Sequence, residues 1–460
     1  MKFEEYLSSL RNKTVAVIGI GVSNRPLIEL LLSRGVAVTA CDKKDRATLG
    51  ALAEELVGKG CRLRLGPDYL KDLTQDVIFR TPGMRPDLPE LHAAVERGST
   101  LTSEMEVFFE VCPCPILAVT GSDGKTTTTT IIARLLEAAG HTVHLGGNIG
   151  HPLLAEADSI RPTDWAVVEL SSFQLMTMEQ SPHIAVLTNL APNHLDVHTD
   201  MDEYVRAKAA IFIHQGPEDT AVFNGDNQVT RSLSAAAIGA LSYFMAEPSD
   251  QLRRGCFLRD NAIWYRDGAA ERQVLPLSGI LLPGRHNVEN YMAAICAVQG
   301  LVPDETIRDF AGTFGGVEHR IELVRERGGV RWYNDSIASS PSRTIAGLRS
   351  FPDQVILIAG GKDKGVSYDS LGPVINEHVK LLILCGATAG VIRQSVEKAE
   401  NYRGLEIVEV SEYPDAVALA DRRSAAGDVV ILSPASTSFD RFKNFEERGR
   451  VFKELVRKLP

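Results

Sequence analysis

The residues best suited to chemistry lie together between 121 and 127, in the order Gly121, Ser122, Asp123, Gly124, Lys125, Thr126, Thr127. Glycines let a backbone come close to a phosphate, and successive N–H groups then converge on its oxygens. A lysine neutralises charge and a threonine hydroxyl reaches a bound Mg²⁺. The pattern is G-x-x-G-K-T-T, a shortened phosphate-binding loop: the position that carries a further glycine in the full pattern is Val119. Such a loop works only if a strand delivers it and a helix receives it. The run PILAVT (Pro115 to Thr120) predicts the strand, and TTTIIARLLEAAG predicts the helix.

Two later apolar runs end in an acid or a base. Trp165 to Glu169 places a carboxylate at the C-terminal end of a strand, the ligand edge of a parallel sheet. Ile184 to Asn189 leads into Leu-Ala-Pro-Asn-His194-Leu-Asp196, which places a histidine and an acid at another strand end. Glu169 alone reads as readily as a solvated strand end, and His194 as a loop histidine. Together with the loop they become candidate Mg²⁺ ligands or ligand orienters. Lys208, in MDEYVRAKAAIF, reads by itself as a solvated helix position.

The elements that must hold these residues follow the rhythm of parallel α/β units: apolar run, glycine or polar turn, amphipathic stretch, apolar run. The first such unit is TVAVIGI (Thr14 to Ile20), the turn Gly19-Ile-Gly21-Val22-Ser23-Asn24, the helical PLIELLLSRG, and VAVTACD ending at Asp42. Free N–H groups and the dipole at a helix N-terminus favour phosphate, and Asp42 lies where a ribose or base would be met. Asn24 stands at the third glycine of the dinucleotide fingerprint. A structural turn and a nicotinamide-dependent oxidoreductase both stay open at this point.

At ~150 residues per domain, 460 residues predict about three domains. The rhythm restarts near 115 and changes character at Thr313-Phe-Gly-Gly-Val-Glu, which sets boundaries at 1–110, 111–312 and 313–460. Hydrophobic residues make up 44% and charged residues 23%, so each segment has the means to build a core. The net charge of −10, without long blocks of one sign, excludes a diffuse attraction to nucleic acid or anionic lipid; bound phosphates must meet local sites. Seven cysteines form no disulfide framework, and Cys112 and Cys114 have one-residue spacing rather than a zinc pattern. The opening MKFEEYLSSLRNK is acidic and polar, and no apolar run approaches the ~20 residues of a membrane span. A soluble cytoplasmic protein without membrane insertion is the expectation.

With these residues in hand the chain resembles the Mur ligases, ATP-dependent amide-forming enzymes of peptidoglycan precursor synthesis. TGSDGKTT fits the family's loop. GGNIG (Gly146 to Gly150), ELSSFQL (Glu169 to Leu175) and NLAPNHLDVH (Asn189 to His198) follow in family order. So do GRHNVEN (Gly284 to Asn290), His319-Arg320, YNDS (Tyr333 to Ser336), GGKDKG (Gly360 to Gly365) and SPASTSFDRFKNFEERG (Ser433 to Gly449). ELSSFQL and FDRFKNFEERG are similar to the D-glutamate-adding branch.

The resemblance implies three α/β domains: a Rossmann-like N-terminal domain, a central P-loop ATPase domain with a mostly parallel sheet, and a C-terminal Rossmann-like domain. It implies that ATP phosphorylates the terminal carboxylate of UDP-MurNAc-L-Ala, and that the amine of D-glutamate then attacks the acyl phosphate. Lys125 would neutralise the β/γ-phosphates, and Mg²⁺ would be held by Thr126 and Glu169. A second Mg²⁺ would use His194, supported by Lys208 carbamylated by CO₂. The adenine and ribose side would involve Asn290, Arg320 and Asp335, with the third segment closing over ATP. The first segment becomes a UDP-sugar site through Val22, Ser23, Asp42, Lys43, Thr81 and Gly83, joined by Asn148 and Ser171. D-Glutamate would meet Ser339, Lys364 and Ser438, with Phe445 beside it. Phe442, Phe445 and Phe452 are expected on one face of a C-terminal helix, Phe442 and Phe452 as core. A monomer is the expected state.

One departure matters. After Asn334-Asp335-Ser336 the family usually continues Lys-Ala-Thr-Asn, where this chain has Ile337-Ala338-Ser339-Ser340. Lys362 and Arg343 are the candidate replacement cations. Asn193, before His194, also replaces a common aspartate. Another amino-acid-adding ligase, or a Mur-like protein that binds a nucleotide sugar without ligating it, are the competing readings.

Overall fold

Short β-branched runs, each followed by a turn and an amphipathic helix, build three sheets rich in parallel strands. The computed structural model describes residues 2–21, 23–192, 197–249, 252–363 and 365–460. Val22, His194 and Lys364 therefore lie outside the described residues. The chain divides into two compact units, residues 1–279 with 288–310, and residues 280–287 with 311–460.

The first unit holds two sheets. One comprises β1 (Thr14–Ile18), β2 (Ala37–Asp42), β3 (Arg62–Leu65), β4 (Val77–Phe79) and β5 (Thr100–Thr102). Its order is β3-β2-β1-β4-β5 and every pairing is parallel. The other begins with β6 (Ile116–Thr120), β7 (Val143–Gly147), β8 (Trp165–Glu169), β9 (Ile184–Leu187) and β10 (Thr220–Asn224). It continues with β11 (Ala240–Met245), β12 (Arg254–Arg259), β13 (Ala262–Asp267) and β14 (Ala270–Pro276). The order β14-β13-β12-β11-β10-β9-β6-β8-β7 places β6 between β9 and β8, so the C-terminal ends of those three strands lie side by side. The pairings are parallel as far as β12, and β13 and β14 add an antiparallel edge.

One core runs beneath both sheets, from Val15, Val17 and Phe79 through Phe108 to Ala118, Val168 and Leu187. The helix Glu104–Val111, capped by Ser103 accepting from Glu106 N–H, buries Met105, Val107, Phe108 and Phe109 in that core. Burying one such phenylalanine contributes roughly 1.5–3 kcal/mol, so the two sheets of this unit are held by packing. Arg80, at the end of β4, is fully buried and donates to Phe173 O at 3.1 Å and to Thr177 Oγ1 at 2.6 Å.

The second unit holds β15 (Glu322–Arg327), β16 (Val330–Asn334), β17 (Val355–Ala359), β18 (Val379–Leu384), β19 (Glu406–Glu409) and β20 (Val429–Leu432). Their order is β15-β16-β20-β17-β18-β19, parallel except for the β15–β16 hairpin. The C-terminal helix spans Phe445–Arg457, because Asn444 caps it by accepting from Glu447 N–H. Phe442 therefore precedes the helix rather than sharing a face with Phe445 and Phe452. Its ring packs edge-on against Tyr413 at 5.3 Å, while Phe452 is fully buried. Among the described residues no helix is long and apolar enough to cross a membrane.

Candidate active site

The loop Gly121–Gly124 leaves β6 and enters the helix Lys125–Ala138. Gly121 has φ +154° and Gly124 φ +77°. A Cβ at Gly121 would lie 1.9 Å from Thr188 Oγ1, and one at Gly124 2.5 Å from Asn290 Oδ1, so both the backbone conformation and the space require glycine. The loop is held from β9: Ser122 N–H donates to Asn189 O (2.9 Å), Asp123 N–H to Asn189 Oδ1 (2.8 Å), and Thr188 Oγ1 to Asp123 O (2.5 Å). Lys125 folds over the loop, its Nζ donating to Gly121 O and Ser122 O at 2.9 Å each. Asn290 Oδ1 accepts from Thr128 Oγ1 at 3.1 Å, which ties Asn290 to the loop helix.

Glu169 is 1% exposed, not solvated, because β8 ends beside the loop. Its two oxygens are divided: Oε2 accepts from Thr126 Oγ1 at 2.7 Å, and Oε1 from Asn148 Nδ2 at 2.7 Å. Among the described residues no group of three His, Cys, Asp or Glu side chains is gathered for a metal. The Thr126 hydroxyl and the Glu169 carboxylate still offer hard oxygens to Mg²⁺, which ordinarily keeps several waters and takes few protein ligands. The residues present fit the ion.

Lys208 overturns its reading as a solvated position: it is 2% exposed. The helix Met201–Ala209, capped by Asp200, turns Tyr204 and Lys208 inward one turn apart. Lys208 Nζ donates to Thr120 Oγ1 at 3.0 Å and lies 5.0 Å from the Tyr204 ring centroid. Burial, and then the Lys125 cation, hold its pKa well below the ordinary lysine range against the pull of Glu169 and Asp123. Tyr204 OH pairs with Ser122 Oγ at 2.9 Å, so the same helix face reaches the loop. Its i, i+4 spacing from Lys208 was the available signal for Tyr204.

His198, within the matched NLAPNHLDVH stretch, is buried: Nε2 pairs with Ser172 Oγ at 2.9 Å, and the ring stacks on Phe173 at 5.5 Å. Glu203 faces it at 3.3 Å and also pairs with Arg85 at 2.9 Å. The Arg85 hydrogen bond lowers the Glu203 pKa to about 2.

A cleft of about 200 Å³ brings together Ser23, Thr81, Gly83 and Asn148, four of the residues assigned to a UDP sugar. Asn148 connects it to Glu169. Asp42 and Ser171 lie outside the lining. The Asp42 carboxylate accepts from Ile20 N–H (2.7 Å) and Lys44 N–H (2.9 Å), Lys43 is exposed, and Ser171 caps the helix Ser172–Leu175. The cleft also contains Glu104, which sequence reasoning passed over. Burial pushes its pKa up to about 7, although Oε1 accepts from Leu154 N–H. An acid in the first turn of the strongly apolar stretch EMEVFFEV was its only signal.

In the second unit Asp335 ends up 4% exposed just past β16, its Oδ2 accepting from Ser433 Oγ at 2.7 Å. Burial raises its pKa to about 7, opposed by the Ser433 bond and the Arg320 charge. Ser336 Oγ donates to Phe445 O at 2.8 Å, and the buried Arg448 donates to both Ser336 O and Ser436 O. These bonds gather Asp335, Phe445 and the segment leading to the buried Ser438. Ser339 N–H donates to Ile337 O, and Arg343 Nη1 reaches the same carbonyl at 3.2 Å. Of the two candidate replacement cations, Arg343 is the one bonded to position 337.

The Mur ligase middle domain matches residues 119–298, and the Mur ligase glutamate ligase domain matches residues 319–436. UDP-N-acetylmuramoylalanine–D-glutamate ligase of Acetivibrio thermocellus is 52% identical, with 100% of this chain and 99% of that protein covered. The protein of the same name from Clostridium kluyveri is 48% identical, with 99% and 98% covered. UDP-N-acetylmuramate–alanine ligase of Thermotoga maritima superposes with a TM-score of 0.59 at 17% identity, over 97% of this chain and 99% of that one. MurF of Acinetobacter baumannii gives 0.59 at 15%, over 92% and 91%. These two structures share the three-domain α/β fold. With sequence identity near one half sustained from end to end, the chain belongs to the Mur ligase family.

Proposed function

We propose that this enzyme ligates D-glutamate to UDP-MurNAc-L-Ala at the expense of ATP, in peptidoglycan precursor synthesis in the cytoplasm. The observation that carries the reading is the 52% identity, over the full length of both chains, to a relative named for that reaction. The domain roles are 1–110 for the UDP sugar, 111–312 for ATP and 313–460 for D-glutamate.

Amide formation from a carboxylate and an amine is uphill in water, so the carboxylate must first become an acyl phosphate. The obstacle is charge, since a triphosphate and a carboxylate repel. Lys125 supplies the fixed cation, and the N–H groups at the start of the helix Lys125–Ala138 supply donors. The γ-phosphoryl passes to the carboxylate, and the amine of D-glutamate displaces it. Thr126 and Glu169 are the residues that would hold Mg²⁺, which when bound neutralises the β/γ-phosphates. Asn148, on Glu169 and in the cleft at once, aligns the sugar-bearing substrate with the phosphate loop.

Lys208 is assigned as the carbamylated lysine. CO₂ adds to a neutral amine, and burial beside Lys125 favours the neutral form. The carbamate replaces a buried neutral amine by an anion, which the Lys125 cation attracts. His194 remains assigned to the metal and Lys364 to D-glutamate, with Ser339, Ser438 and Phe445 beside it.

Phosphate release is measured with ATP and UDP-MurNAc-L-Ala across a panel of D- and L-amino acids. Release with D-glutamate alone is expected. Release with meso-diaminopimelate or L-lysine instead would move the enzyme to another branch of the family.

A further inference from the structure

The sequence Cys112-Pro113-Cys114 joins the helix Glu104–Val111 to β6, and the ligase chemistry uses neither thiol. Cys112 has φ −62° and ψ 121°, the extended conformation that a following proline enforces. Two residues on along an extended chain the side chains face the same way. The Sγ atoms consequently lie 3.6 Å apart, and Cys112 Sγ also sits 3.6 Å from Cys114 O. A disulfide needs the sulfurs at about 2.05 Å, a local approach of roughly 1.5 Å.

The remaining five cysteines, Cys41, Cys61, Cys256, Cys296 and Cys385, are buried, and so is Cys114, whereas Cys112 is partly exposed. An oxidant in solution thus reaches this pair at Cys112. The attacking thiolate must meet the oxidant, so accessibility singles out Cys112.

We propose that Cys112 and Cys114 are a redox modification site, a dithiol that small disulfides convert reversibly into an intramolecular disulfide. The Cys112 thiolate attacks one sulfur of the small disulfide; its S–S bond breaks and one thiolate leaves, taking up a proton. Cys114 then loses its proton to the solvent and attacks Cys112 Sγ, expelling the second thiolate, which is protonated in turn. The protein dithiol is oxidised by two electrons and the small disulfide is reduced to two thiols. The start of β6 is anchored on both sides, by Ala166 N–H donating to Pro115 O and Ile116 N–H donating to His183 Nδ1, so closure stays local.

The test incubates the reduced full-length protein, under native conditions, with excess oxidised glutathione, then counts thiols after denaturation and maps peptides by mass. The expected result is a loss of two thiols from the seven, with the peptide holding Cys112 and Cys114 lighter by two hydrogens, restored by dithiothreitol. Cys114→Ser should instead retain one glutathione on Cys112, and Cys112→Ser should retain all its remaining thiols. Seven unreacted thiols in the wild-type protein would overturn the proposal. So would a glutathione adduct on Cys112 that never resolves, or a two-thiol loss that maps to Cys256 and Cys296. Because the wild-type mapping stands alone, a variant that folds poorly does not decide the outcome.

Discussion

Two glycine turns, each between a parallel strand and a helix, lie in the same unit and end up with opposite chemistry. The turn after β6 carries Lys125 across its carbonyls and faces a threonine hydroxyl paired with a buried carboxylate. The turn after β1 carries no lysine. Its Ile20 N–H is taken by the Asp42 carboxylate, Asn24 Nδ2 donates to Ile18 O, and the cleft beside it holds Glu104. A strand–turn–helix supplies N–H groups and a dipole in both places. Asp42 takes up one amide of the first turn, whereas Lys125 adds a fixed cation to the second, so the same backbone motif carries different charge in the two places.

The strongest challenge to this contrast is Lys125→Ala, which should lower turnover about 10²–10³-fold in a phosphate-release assay, the usual cost of removing one fixed donor to developing charge. Retained turnover would mean that the loop amides suffice and that the lysine does not set the two turns apart. Next is Lys208→Ala, expected to lose about 10–100-fold with partial rescue by acetate or formate. Carbamate on the wild-type enzyme should appear as a ¹³C signal under labelled CO₂. Full activity without additives would remove Lys208 from the site.

On the side of the first turn, Glu104 binds its proton more tightly when folded, with a pKa raised from 4.5 to about 7. Its contribution to stability is complete below pH 4.5 and is lost as pH rises through about 7, a swing of about 3 kcal/mol. Glu104→Gln should remove its share of that slope, leaving the share of Asp335, and stabilise the protein most above pH 7. A wild-type profile already flat between pH 5 and 8 would show that Glu104 is ionised throughout. The smallest effect belongs to Asp42→Ala. Losing two backbone bonds to a carboxylate should cost about 2 kcal/mol of unfolding free energy and raise the Michaelis constant for UDP-MurNAc-L-Ala, leaving that for ATP unchanged. A shift in the ATP constant instead would mean that the two turns are not independent.

Much of the fold was legible because buried parallel strands are local runs of β-branched residues, and β1, β2, β6, β8 and β9 fall on such runs. Phe442 was misplaced, since hydrophobic spacing alone does not register that Asn444 starts the helix. Lys208 was misread because helix position says which way a side chain points but not what lies there. Only the approach of the Met201–Ala209 helix to Thr120 makes it a buried amine. Arg343 likewise reaches Ile337 through a turn that no local pattern announces.

The sequence by itself determined the phosphate loop, because backbone conformation, cation and hydroxyl all come from seven consecutive residues. The family followed from the order of motifs along the chain. Only the tertiary structure decided which charges are desolvated: Glu169, Lys208, Glu104 and Asp335 come from separate stretches of chain, and each owes its environment to segments far from it in sequence. Burial and neighbouring charge act through space, so the protonation states on which the chemistry depends are properties of the packed chain.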